Sequence, residues 1–165
     1  MGHSVPKIVA VVIGIPIALA VGILLAPLIA LAWLGHVVAS AWLASRLRAA
    51  WPANKFVLFG YTQSPVWAPF IEDSLMPQLG DSVVSIDRSE EGWKRNYPIE
   101  ARALSFWGGI RSYNPIAVVI RSRWRVRVFR FYKAFQQKKH GKPRELEALV
   151  AEFLSHVNEI QCPRA

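Results

Sequence analysis

The sequence predicts an α/β domain carried on one transmembrane helix. Three observations predict it. An uncharged apolar tract stands near the start of the chain, short apolar runs follow between turn residues, and apolar residues at helical spacing lie between and after those runs. The chain has 165 residues, so an anchor region leaves roughly 110 for one domain of ordinary size. The expected boundaries are 1–51 for the anchor and a juxtamembrane helix, 52–158 for the α/β domain, and 159–165 for a tail.

The anchor comes first. Ile8 to Ser45 contains no Asp, Glu, Lys or Arg, and Ile8 to Leu34 is apolar almost throughout. A bilayer-spanning helix needs about 20 apolar residues, and these 27 suffice. Pro16 and Pro27 allow a kink or an end within the tract. A signal peptide cleaved at Ala30-Leu31-Ala32 or Ala39-Ser40-Ala41 is a rival reading, but the tract far exceeds an ordinary signal core. A hairpin turning at Pro27 would leave each arm too short to span. Lys7 precedes the tract, whereas Arg46, Arg48 and Lys55 follow it. The bias predicts a single-pass protein with its C-terminal domain in the cytoplasm. Trp33, Trp42 and Trp51 read as an interfacial aromatic belt, and Val37 to Trp51 as a helix on the membrane surface that Pro52 ends.

The domain elements follow in order. Lys55–Tyr61 is a short apolar run, a strand buried on both faces. Thr62 to Pro65 is a turn, and Pro65 suits the first turn of the next helix. Trp67, Phe70, Ile71, Leu75 and Leu79 recur at helical spacing up to Gly80. Val83–Asp87 is a second strand. Trp93–Trp107 reads as a helix with Tyr97, Ala101 and Leu104 on the same stripe, although Pro98 interrupts it, and Gly108-Gly109 closes it. Ile116–Ile120 is a third strand. After a turn at Arg121 to Arg123, Trp124–Tyr132 is a fourth. From Pro143 onward, Leu146, Leu149, Val150, Phe153, Leu154 and Val157 form one apolar helix face.

The order β-α-β-α-β-β-α resembles the thioredoxin superfamily in its minimal glutaredoxin-like form, a three-layer fold. Two further features carry the resemblance over roughly 55–157. Ser64-Pro65-Val66-Trp67 stands straight after the first strand, where that family keeps Cys-Pro-x-Cys. Asn114-Pro115 stands at the start of the third strand, where it keeps a cis-proline. The resemblance implies a site made of Tyr61, Ser64, Pro65, Trp67, Asn114 and Pro115. It also implies that dithiol redox activity is missing. Serine is too weakly acidic to replace a thiolate, tryptophan has no sulfur, and Cys162 lies beyond the last helix.

Other chemistry leaves no trace. Phosphate-loop, zinc-protease, nucleophile-elbow and dinucleotide fingerprints are missing, His3, His36, His140 and His156 share no ligand spacing, and no cofactor is implied. One cysteine makes no internal disulfide, and Cys162-Pro163-Arg164-Ala165 lacks the aliphatic residues of a prenylation box. Two local features stay open. Tyr61, Gln63 and Ser64 form either a ligand pocket facing Pro115 or an ordinary Ser-capped turn. Twelve basic and no acidic residues lie from Ala101 to Arg144, within a net charge of +9. There Arg121, Arg123, Arg125 and Arg127 alternate, with Trp124 and Val126 facing the core and Arg130 extending the charge. This strip reads either as a contact for anionic lipid headgroups or as a charged edge that discourages sheet pairing. Nucleic acid is disfavoured, because exposed aromatics do not interleave the arginines.

Taken together, these readings predict a membrane-anchored, redox-inactive binding or scaffolding module, with the bilayer and an unidentified protein as partners. The alternative is an enzyme of the same fold using a thiol cofactor such as glutathione at Ser64 and Pro115. Glutathione transferases bind that thiol without a protein cysteine, but carry a helical C-terminal domain that this chain lacks.

Overall fold

A computed structural model of the protein describes residues 5–109 and 114–162, with side chains from residue 22 onward. It is a mixed α/β fold with a long apolar helix before it. Contacts divide the chain into two compact units, Met1–Ala39 and Ser40–Ala165.

Helix α1 runs unbroken over Val5–Ala50, past both Pro16 and Pro27. The single-helix reading therefore holds over its rivals, an end within the tract or a hairpin at Pro27; proline costs a helix one hydrogen bond, and an apolar tract sustains the rest. The helix is long and apolar enough to cross a membrane over Gly22–Ala50. Every residue from Gly22 to His36 is exposed, with Ile23 and Leu24 each at 71%.

The last turns of α1 behave differently. Ala41, Leu43, Ala44 and Leu47 are buried at the i, i+3, i+4 spacing of one helix face, while Trp42, Arg46 and Arg48 stay exposed. Leu43, Ala44, Leu47 and Trp51 join the core of the second unit. Trp51 Nε1 donates to Glu100 Oε1 at 2.8 Å. This segment, expected on a membrane surface with Trp51 in an aromatic belt, is thus a structural helix of the α/β unit. Its apolar face found a sheet to cover.

The sheet has four strands in the order β2-β1-β3-β4: β1 (Val57–Tyr61), β2 (Val83–Asp87), β3 (Ile116–Ser122) and β4 (Arg125–Arg130). β1 and β2 are parallel; β1 and β3, and β3 and β4, are antiparallel. All five residues of β1 are buried, as its unbroken apolar run predicts. Its side chains alternate between two cores. Val57, Phe59 and Tyr61 join Ala117, Val119 and Phe129 on one face; Leu58 joins Ile116, Val118 and Ile120 on the other.

Helices cover both faces. The first carries a helical run of α2 (Ala68–Phe70), a π-helical turn at Ile71–Leu75 and α3 (Met76–Leu79). Pro77 accounts for the widened turn, since its ring would clash with the carbonyl four residues back and it has no N–H; Met76 N–H instead reaches Ile71 O. α6 (Tyr132–Lys139) and α7 (Arg144–Gln161) lie on the same face, with Phe135, Leu146, Phe153 and Val157 buried. The second face carries the end of α1 and α5 (Pro98–Gly108). Gly60 lets α5 approach, because a Cβ there would sit 2.8 Å from Leu104 Cδ1.

Three expected elements change. The helix expected over 93–107 is split into α4 (Trp93–Asn96) and α5 by Pro98. β4 is shorter than expected and starts after a turn at Arg123 and Trp124; the latter, expected in the core, is 60% exposed. Tyr132, expected at the end of that strand, opens α6, which the strand reading had absorbed.

Candidate functional site

The C-terminal end of β1 gathers most of the side chains that the sequence singles out. Tyr61 is buried, and its hydroxyl donates to Glu72 Oε1 at 3.0 Å. Gln63 Nε2 donates to the same oxygen at 2.8 Å. Burial, then the hydrogen bond to Glu72 and the carboxylates of Glu72, Asp87 and Glu90, push the Tyr61 phenol up to about 12. It therefore stays protonated and acts as a donor.

The turn after Tyr61 is closed by its own hydrogen bonds. Ser64 O accepts from Trp67 N at 3.1 Å and Ala68 N at 2.9 Å. Ser64 Oγ accepts from Val66 N at 3.4 Å, a long bond characteristic of a serine turn rather than a helix cap. A nucleophilic serine needs a base within reach. Among the described residues no histidine or carboxylate is hydrogen-bonded to Ser64. Trp67 donates its indole N–H to Thr62 O at 2.9 Å. Its ring lies edge-on to Tyr132 and packs on Phe135, with centroids 6.3 and 6.1 Å away. The indole is a structural bracket between the turn and α6. Pro65 is exposed.

Asn114 and Pro115 meet this turn through Thr62. The Asn114 carboxamide lies 2.7 Å from Thr62 Oγ1. With its oxygen turned toward Thr62 it accepts from Oγ1 and from Thr62 N at 3.2 Å, while its NH2 donates to Gly60 O at 3.2 Å. The Asn114-Pro115 peptide is cis. Pro115 is buried, and its carbonyl accepts from Phe131 N at 3.0 Å. The β1 end and the start of β3 are thereby held together.

Sequence reasoning missed three participants here. Glu72 anchors Tyr61 and Gln63. Ser89 Oγ accepts from Gln63 N at 2.8 Å. Arg88, just past β2, donates its N–H to Tyr61 O at 2.7 Å and lays its guanidinium 5.2 Å from the Trp93 ring centre. Burial lowers the Arg88 pKa. None carries a sequence signal, since each contact spans a fold-dependent separation.

The five arginines expected on one cationic strip divide between the hairpin tip, with Arg121, Arg123 and Arg125, and the length of β4 behind it, with Arg127 and Arg130. Arg121, next to last in β3, lines a groove of about 780 Å³ with Leu154, Ser155, Asn158 and Glu159 of α7. It also lines a second groove of about 420 Å³ with Arg48, Asn54, Phe56 and Asp81. Arg123 lies in the turn, 5.3 Å from the Trp124 ring centre. Arg125 opens β4. Arg127 forms an ion pair with Glu152 of α7, and Arg130 Nη2 donates to Trp107 O at 2.9 Å. The single strip is therefore corrected. The chain reverses at Arg123 and Trp124, and a register shift between Ile120 and Ser122 breaks the alternation on which the strip depended.

Among the described residues, no three His, Cys, Asp or Glu side chains gather as a metal site. No family model, curated protein or solved structure matches the chain.

Proposed function

We propose that this protein is a membrane-anchored, thioredoxin-like module without redox cysteines, which binds a partner at the membrane surface. Its first unit is a helix long and apolar enough to span, and the exposed residues from Gly22 to His36 have no inward face. The thioredoxin-like reading is supported by parallel β1 and β2 on either side of a helical connection, an antiparallel β3–β4 hairpin and the cis Asn114-Pro115 bond. The additional helix α6 departs from the expected order.

The observation that carries the redox-inactive reading is the state of the two family cysteine positions. Ser64 Oγ is occupied by Val66 N–H, and Trp67 is committed to Thr62 O and an aromatic cluster. Neither position supplies a thiolate. The test uses the full chain in detergent. It should not reduce insulin disulfides, Cys162→Ser should change nothing, and glutathione should not raise the thermal midpoint. Turnover lost on Ser64→Ala, or a midpoint raised by glutathione, would overturn the reading in favour of a thiol-cofactor enzyme. The cytoplasmic orientation follows from Arg46, Arg48 and Lys55 against Lys7. A C-terminal alkaline phosphatase fusion should be inactive, and an active one would reverse the topology.

A further inference from the structure

The two ends of the sheet carry different surfaces. At one end, Trp107 Nε1 donates to Ser40 Oγ at 3.1 Å, and Trp107 O accepts from Arg130, the register partner of Ile116. Ser40, the first residue of the α/β unit, therefore lies at the end where β3 begins. At the other end β3 runs into the hairpin turn. The seven residues of β3 put roughly 20 Å between the two ends.

The turn end is cationic and has an apolar apex. Arg121, Ser122, Arg123, Trp124 and Arg125 are consecutive and all exposed. Arg48 joins Arg121 along one groove and donates to Lys55 O at 3.2 Å. Phe56, the residue after Lys55, holds Ile120 N through its carbonyl at 2.8 Å. Four arginines, Arg48, Arg121, Arg123 and Arg125, thus stand at or beside the tip, opposed by Asp81 in one groove and Glu159 in the other. Arg127 forms its ion pair with Glu152 behind the tip. Trp124 is the large apolar side chain that the hairpin leaves in solvent.

We propose that the β3–β4 tip docks on the headgroups of an anionic bilayer. The proposal rests on the membrane-anchored reading above and names its partner. Arginines attract anionic headgroups and an indole partitions into the headgroup layer, so the tip pairs charge with an interfacial anchor. The Debye length at physiological salt is about 8 Å. Single-stranded nucleic acid fits less well, because it stacks on successive aromatics and Trp124 stands alone.

The test reconstitutes the full chain into phosphatidylcholine vesicles and adds labelled acceptor vesicles. Acceptors containing phosphatidylserine should cluster with the donors, pure phosphatidylcholine acceptors should not, and salt should disperse the clusters. Arg123→Gln with Arg125→Gln should raise the acceptor lipid needed for half-maximal clustering roughly thirty-fold. Trp124→Ala should raise it several-fold. Lys94→Gln with Arg95→Gln, equal in charge but placed on α4, should leave it unchanged. All these positions are exposed, so thermal midpoints should stay near that of the parent. Equal loss in the tip and α4 variants, equal capture of neutral acceptors, or binding of single-stranded RNA without vesicle capture would overturn the proposal. Alkaline carbonate applied to the donors beforehand separates the two readings. If it strips the chain, anchoring fails and the tip is judged by flotation of the chain with the same anionic vesicles. If the chain stays and acceptors are not captured, the tip proposal fails alone.

Discussion

Helix α1 contains two regions of similar residue type in opposite circumstances. From Gly22 to His36 every position is exposed, whereas from Ala41 to Leu47 burial follows one helical face. Leu28 is 61% exposed and Leu47 not at all. The difference is one of periodicity rather than hydrophobicity. A helix that is apolar all round has no polar side to offer water, and a surface helix has one. Trp42 with Arg46 5.6 Å from its ring centre, and Arg48 with its bond to Lys55, supply that polar side in the second region. The first region has only Leu, Ile, Ala, Gly, Pro and Trp33 to offer before His36. One continuous helix therefore carries two kinds of surface.

The comparison can be broken by point substitutions. The largest effect is expected at Leu47, which is fully buried among Leu58, Val118 and Ile120 in the same core. Leu47→Ala should destabilise the α/β unit by about 2–5 kcal/mol in denaturant unfolding of the detergent-solubilised chain. Leu28→Ala should leave the same transition unchanged; equal losses would mean that Leu28 has a protein partner.

The reverse substitution sharpens the point. Leu28→Arg places a charge within the apolar tract and should cost insertion about 3 kcal/mol, read as a rise in carbonate-extractable chain. The unfolding transition of the α/β unit should not move. A chain that remains soluble, and folded, with or without the substitution would show that the exposed helix does not need lipid.

Ser40 tests the start of the one-sided region. Ser40→Ala removes the acceptor of the Trp107 indole N–H and should cost about 1 kcal/mol of unfolding free energy, with insertion unaffected. A silent substitution would move the start of the α/β unit toward Ala41.

The smallest effect is a pH dependence that the α/β unit should show and the apolar tract, with no ionisable side chain from Ile8 to Leu34, should not. His156 on α7 lies against Phe129 and close to Arg127, Arg121, Glu152 and Glu159. Burial first, then Arg127, lowers its pKa, with Glu159 opposing. The folded state therefore binds this proton less readily than the unfolded chain. The contribution is fully present above the ordinary histidine pKa of about 6.5 and is lost as pH falls through that value toward the folded one. His156→Gln should flatten the fall in thermal midpoint between neutral and mildly acidic pH. An unchanged slope would mean that carboxylates alone set it.

How much of this was legible in the sequence depended on whether the signal was local. β1, β2 and α7 were readable because Leu58, Ile86 and Phe153 sit in runs whose period matches their burial. The helix α6 was missed because Phe129, Phe131 and Phe135 flow from strand into helix without a glycine or polar stop, although Phe131, Ala134 and Phe135 carry helical spacing. The last turns of α1 were read as a surface helix because sequence alone cannot tell lipid from a sheet as the cover for Leu43 and Leu47. At the candidate site Ser64, Trp67, Asn114 and Pro115 were legible by position. The bonds that define their chemistry, Trp67 to Thr62 and Asn114 to Thr62, were not, because they depend on how β1 meets β3. Trp124 was assigned to the core by strand alternation, and the turn that exposes it moved by only a residue or two.

Scanning nitroxide labels along α1 tests the two-surface claim most directly. In a Cys162→Ser background, single cysteines at exposed positions from Gly22 to Arg48 are labelled in the reconstituted full chain. Collision with oxygen and with a water-soluble nickel complex is then recorded. Labels from Gly22 to Leu34 should all be accessible to oxygen and protected from nickel, with no 3.6-residue period, whereas Trp42, Ser45, Arg46 and Arg48 should be open to nickel. A 3.6-residue nickel period running through Gly22 to Leu34, or free nickel access along it, would contradict the account.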